Sequence, residues 1–184
     1  MNTSNNTKNF IYPAFFAALT IVLGFISIPI PISPSPITGL NLGVMLAGSL
    51  LPPRQAFYSI LTIIVLGAIG LPVFSGFSGG LGILLGPRGG FYFGFLLGVV
   101  VISLLRGSGG NLWRVMMANI IGGVLVVYLV AVPWLTLVTQ MNLQAAIFAG
   151  AVPFIIGDML KVVMASMVTV ALSRHITVFR GENA

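Results

Sequence analysis

The chain contains no cysteine, only two acidic residues among its 184, one histidine and two lysines. Without cysteine there are no disulfides and no thiolate metal sites. His175 with Asp158 and Glu182 supplies too few ligands for a metal cluster, so no metal and no cofactor is expected. The lysines, at positions 8 and 161, complete no Gly-x-x-x-x-Gly-Lys-Ser/Thr phosphate loop, so any ATP hydrolysis must come from other subunits. What fills the chain instead is apolar: 58% hydrophobic residues against 5% charged, with a mean hydropathy of +1.12. That composition describes an integral membrane protein, and the length reads as one domain over residues 1–184. The net charge of +6 comes from basic residues scattered singly at the ends of apolar runs, a pattern of membrane orientation rather than of nucleic-acid binding.

Six apolar runs read as transmembrane helices at roughly 10–28, 39–51, 56–73, 91–105, 112–134 and 143–173. The first is expected to be a mature helix rather than a cleaved signal, and Asn-x-Ser/Thr matches at Asn2 and Asn5 read as chance in a polar tail. The second run, with about 13 residues, is shorter than the roughly 20 that span a bilayer, so its flanks or its neighbours must shield it. With the N-terminus in the cytoplasm, Lys8, Arg54, Arg106, Arg114, Arg174 and Arg180 fall on the cytoplasmic side and Arg88 on the other, as the positive-inside rule requires. Both termini are then cytoplasmic.

Three charges remain that orientation does not explain: Arg88, Asp158 and Lys161. An Asp or Lys near the centre of a membrane helix costs about 2.5 to 3.5 kcal/mol, and such groups usually serve function. The i,i+3 spacing of Asp158 and Lys161 puts them on one helix face. A pair that merely locks two helices is the bland alternative, yet desolvation makes a buried ion pair a weak stabiliser. They are read as lining a cavity for a small polar molecule. Above it, the segment 74–90 is too apolar for a solvated linker and too glycine-rich for a helix, and reads as a lid on an outward-facing site. Ser78 and Tyr92 are second candidates, Tyr92 lying one turn after Arg88.

Ile69-Gly70-Leu71-Pro72-Val73-Phe74, then Gly79-Gly80-Leu81-Gly82-Ile83-Leu84-Leu85-Gly86-Pro87 and Gly89-Gly90-Phe91, resemble the signature of the BioY proteins. These are the biotin-specific substrate-binding subunits (S components) of energy-coupling factor (ECF) transporters. Pro34-Ser35-Pro36-Ile37-Thr38, Leu42 to Gly48, Tyr128 with Pro133-Trp134-Leu135, and Pro153-Phe154-x-x-Gly157-Asp158-x-x-Lys161 extend the resemblance over nearly the whole chain. It implies an all-α prokaryotic cell-membrane protein: six helices with a glycine-rich extracellular loop folded over a biotin site that includes Asp158 and Lys161.

Residue chemistry agrees with that implication. A carboxylate accepts from the ureido N–H groups of biotin, and cations answer its valerate carboxylate, which makes Asp158 and Lys161 opposite ends of the grip. Relatives in this family often carry a small hydroxyl residue in place of Arg88, and a Gln shortly after the Pro-x-Pro-Ile-Thr motif, where this chain has Leu40 and Asn41. Arg88 is therefore read as a carboxylate clamp particular to this chain, with an outer surface residue as the alternative, and Asn41 joins the candidate contacts.

The resemblance further implies partners: a transmembrane coupling subunit and ATPase subunits. An Ala-x-x-x-Ala surface on the first helix meets the coupling subunit in that family; Ala14 and Ala18, with Ala17, are the candidates here. The glycine stripe Gly90, Gly94 and Gly98 reads as internal packing. Gly76-Phe77-Ser78-Gly79 also matches the Gly-x-Ser-Gly of rhomboid intramembrane proteases. Its serine would lie a membrane thickness, about 30 Å, from His175, so no enzyme and no catalytic residue is expected. The charges alone would also admit an S component for another small anionic vitamin; a passive channel would need a continuous polar pore, whereas the few charges form one cluster on one side.

Overall fold

A computed structural model describes residues 3–173, with side chains from Phe10 onward. The chain begins with α1 (Thr3–Phe25), which ends sooner than the apolar run because Ser27–Ile28 (β1) pairs antiparallel with Ile37–Thr38 (β2). Pro29 biases Ile28 towards extended backbone, which favours the strand over another helical turn. The Pro-rich strap 29–36 is thereby closed at its base, with the Gly39 N–H donating to the Ile26 carbonyl at 3.0 Å.

Helix α2 (Leu40–Leu50) is about 16 Å long at 1.5 Å per residue, too short to span alone. All of its residues but Leu42 are buried, and α1, α5 and α9 surround it; neighbours supply the shield. α3 (Pro53–Ala68) starts with proline in its first turn, where a missing N–H costs nothing, and ends before the expected residue 73. Gly70 turns there with φ +101, and Leu71, ahead of Pro72, is disfavoured in helical backbone.

The glycine-rich segment holds a short helix, α4 (Leu81–Leu85), contrary to the helix-free lid read from its composition. Five residues suffice for one turn between Gly80 (φ +102) and Gly86. Phe74 anchors this segment: it is fully buried, sits 4.3 Å from the Tyr92 ring, and exchanges backbone bonds with Ser78. Phe77 stacks on Phe25 at 4.1 Å.

α5 (Gly89–Leu105) is the central helix, against α2, α3 and the long element that follows. That element runs 112–139 as α6 (Leu112–Ile120), a π segment (Ile121–Val126) and α7 (Val127–Thr139), continuing through Pro133 beyond the expected end at 134. Gly94 and Gly98 let α5 approach it closely: a Cβ on Gly94 would stand 2.9 Å from the Val127 carbonyl oxygen, and one on Gly98 would collide with the Gly122 carbonyl. Gly90 meets Ala131 and Trp134 in the same way, so the stripe is internal packing.

The last run is two helices, α8 (Leu143–Gly150) and α9 (Val152–Ser173), not one. Ala151 leaves helical backbone at φ −128, and Pro153 lacks the N–H that would join the two ladders. Among the described residues, two helical stretches are long and apolar enough to cross a membrane, 112–139 and 152–173, with mean hydropathies of 2.4 and 1.9. Their outward residues, among them Leu129, Leu137, Ile156 and Met167, are exposed. At the end of the bundle opposite the strap, buried Arg106 donates to the Leu51 carbonyl at 3.3 Å and Arg114 to Leu105 at 3.0 Å, satisfying carbonyls where α2 and α5 stop.

Candidate ligand-binding site

Helix α9 turns a stripe inward, Phe154, Asp158, Val162, Ala165 and Thr169, spaced by three or four residues. Asp158 is therefore carried into the protein by the same periodicity that buries its apolar neighbours. It is 4% exposed and both carboxylate oxygens are engaged. Lys161 Nζ lies 2.9 Å from Oδ1, and the Tyr128 hydroxyl of α7 donates to Oδ2. In this structure Asp158 and Lys161 pair with each other: i,i+3 neighbours on a helix stand about 5–6 Å apart at Cβ, close enough for a direct contact.

These groups border a pocket that is open at its mouth. Phe91, Tyr92 and Phe95 of α5, Phe154 of α9 and Val127 of α7 form its apolar wall. The strap contributes Ser35 and Pro36, and Thr38 and Asn41 follow at the start of α2. Arg88 caps the N-terminus of α5, lines the pocket, and donates from Nε to the Pro34 carbonyl at 3.1 Å, tying the strap across the mouth. Acid and lysine thus sit together on α9, and the second cation comes from α5.

Asn41 is 5% exposed. Its Nδ2 donates to the Gly123 carbonyl of the π segment at 3.1 Å, which fixes the amide with Oδ1 as the other end. A π segment leaves backbone carbonyls without regular helical partners, and such segments recur at functional sites. Tyr92 accepts from the Ser75 N–H at 3.3 Å. Ser78 is not among the lining residues; its hydroxyl donates to the Ser75 carbonyl at 2.9 Å and braces the lid, while Ser75 itself reaches the pocket.

Of the candidates, Asp158, Lys161, Arg88, Tyr92 and Asn41 share one pocket and Ser78 stands behind it. Tyr128, Ser35 and Ser75 also line it, and the sequence pattern does not single them out as ligand contacts. A polar tyrosine head in an otherwise apolar helix was the available signal for Tyr128. On α1, Ala14 and Ala18 lie on an exposed stripe with Ile11, Phe15 and Val22, whereas Ala17, 3% exposed, faces the core. His175, the partner a Ser78 nucleophile would need, lies outside the described residues.

A helical bundle with lipid-compatible outer surfaces and one polar pocket near its end defines a membrane protein that binds a small ligand. The BioY family model matches residues 1–178, and the chain belongs to that family. It is 36% identical over 171 residues to the biotin transporter BioY of Rhizobium etli, covering 88% of this chain and 91% of that one. It is 32% identical over 181 residues to the biotin transporter BioY of Lactococcus lactis, covering 95% of each. Among solved structures, a crystal structure of the S-component for biotin from an ECF-type ABC transporter superposes with a TM-score of 0.88 at 31% identity, covering 96% of both chains.

Proposed function

We propose that the chain is the biotin-binding membrane subunit of an ECF vitamin transporter and is not itself an enzyme. The observation that carries this reading is the polar arrangement inside an apolar pocket. One carboxylate is held by Lys161 and Tyr128 on one side, and Arg88 stands on the other, in a member of the BioY family. Biotin offers matching chemistry: a ureido group with two N–H donors and a carbonyl acceptor, an apolar bicycle and chain, and a carboxylate. Asp158 accepts from the ureido N–H, with Lys161 beside it for the carbonyl, and Asn41 Oδ1 is a second acceptor on that side. Phe91, Tyr92 and Phe95 pack the ring and chain, and Arg88 receives the carboxylate.

The protein forms a single membrane domain of six spans, the α6–π–α7 element counting as one and the α8–α9 pair as another. Both termini are cytoplasmic and the pocket faces outward beneath the lid 74–90, a placement supported by Arg54, Arg106 and Arg114 at the end opposite Arg88. The exposed Ala14 and Ala18 stripe meets the coupling subunit, and ATPase subunits complete the transporter.

Isothermal titration of the detergent-purified protein with biotin, thiamine and riboflavin tests the assignment. Biotin is expected to bind at nanomolar order and the others not at that level. Equal or tighter binding of another vitamin would overturn it.

A further inference from the structure

Two pocket-lining side chains carry a buried polar atom with no hydrogen-bond partner among the described residues: Asn41 Oδ1 and Ser35 Oγ. The other such atoms belong to Thr20, Ser59 and Arg106, none of which lines the pocket. An unsatisfied buried hydroxyl is costly, and its persistence at the wall of a ligand pocket points to a ligand that satisfies it. Ser35 is 7% exposed. Its own backbone N–H is taken by Ser33 Oγ at 3.1 Å, and the preceding carbonyl, that of Pro34, takes the Arg88 Nε at 3.1 Å. Ser35 is therefore fixed by the strap at the Arg88 end of the pocket. Asn41, bonded to Gly123 of the π segment, lies instead towards the helix that carries Tyr128.

We infer that Ser35 is a further specificity-determining residue, its Oγ–H donating to the ligand carboxylate next to Arg88. The inference rests on the biotin reading and deepens it. A guanidinium alone attracts any anion; a hydroxyl donor fixed beside it selects one whose carboxylate oxygens lie in the right plane at the end of a chain of the right length. It also makes the strap part of the site, because the segment that carries Ser35 is the one Arg88 holds by the neighbouring carbonyl.

The test compares wild type with Ser35→Ala by isothermal titration against biotin and its uncharged primary amide, together with thermal denaturation of each protein in detergent without biotin. Biotin affinity should fall about tenfold or more, as expected on losing a hydrogen bond to a charged group, with a smaller loss for the amide. Thermal stability should stay level or rise, since the substitution removes an unsatisfied buried hydroxyl rather than a made bond. Unchanged biotin affinity, or equal losses for acid and amide, would overturn the inference. If the alanine variant does not fold, Ser35→Thr and its near-isostere Ser35→Val repeat the comparison: tighter biotin binding by the threonine variant supports the inference, and equal binding overturns it. A wild-type protein that fails to bind biotin overturns the vitamin reading and this inference with it, whereas wild-type binding with indifferent variants overturns the inference alone.

Discussion

Tyr128 and Asp158 are joined by a hydrogen bond from the phenol to carboxylate Oδ2, across 30 residues of sequence and between two helices. Lys161 holds the other oxygen at 2.9 Å, so the carboxylate is fixed from both sides within an apolar wall. A charged acceptor oriented in advance loses little freedom when it takes a ligand N–H. Tyr128 is thus a positioning residue for Asp158. Tyr128→Phe keeps the ring and removes the donor, and should weaken biotin binding by about tenfold. The loss should be similar for biotin and biotin amide, because the ureido end is affected. Titration of both ligands checks this, and a loss confined to biotin would count against it.

Asp158→Asn removes the acceptor charge and should weaken binding by at least about a hundredfold, beyond the loss of a neutral hydrogen bond. It also leaves the part-buried Lys161 without its counter-charge, which should lower stability. The double variant Asp158→Asn with Lys161→Met should therefore recover thermal stability without recovering affinity. Recovery of both would show that the pair is only a structural lock.

The sequence made the pair legible because charge is so scarce in it: Asp158 is the one acid away from the C-terminal tail. The glycine stripe on α5 was legible for a similar reason, since small residues at i,i+4 have few uses other than close packing. Tyr128 was not, because a tyrosine in an apolar helix looks like any membrane aromatic until the helix opposite is known. Nor was the break at Ala151, where Pro153 sits inside an otherwise continuous apolar run and hydropathy does not register a missing N–H. The strap was readable as non-helical from its prolines. Its return over the pocket depends on the Arg88 bond to Pro34, a contact between positions 54 apart that local pattern does not encode.

Arg88→Ala should separate two ligands that differ only in charge. Biotin affinity should fall by about tenfold or more, and biotin amide should be affected less. Some loss for the amide is expected, because the same guanidinium also holds the strap through Pro34. Equal losses for acid and amide would assign Arg88 to the strap alone.

Gly98→Val introduces a Cβ that collides with the Gly122 carbonyl at the start of the π segment, backbone that cannot step aside as a side chain would. It should destabilise the protein by more than about 3 kcal/mol or prevent its accumulation in the membrane. Gly82→Ala, where a Cβ meets nothing within 4 Å, is the matched control and should be neutral in the same thermal assay. Equal stability of the two variants would contradict the packing described for α5.

Ala14 and Ala17 differ by less than one turn of α1 yet face opposite environments, and that difference separates assembly from folding. Ala14→Trp adds bulk to an exposed stripe, so the protein should fold, bind biotin with unchanged affinity, and fail to co-purify with a coupling subunit. Ala17→Trp forces an indole into the core against its 3% exposure and should destabilise the isolated subunit, lowering its denaturation temperature by several degrees or more. Co-expression with tagged coupling and ATPase subunits, followed by affinity purification and biotin titration of the free subunit, reads both effects. Intact co-purification of Ala14→Trp would remove the exposed stripe as the contact surface, and a stable Ala17→Trp would contradict the inward orientation of that residue.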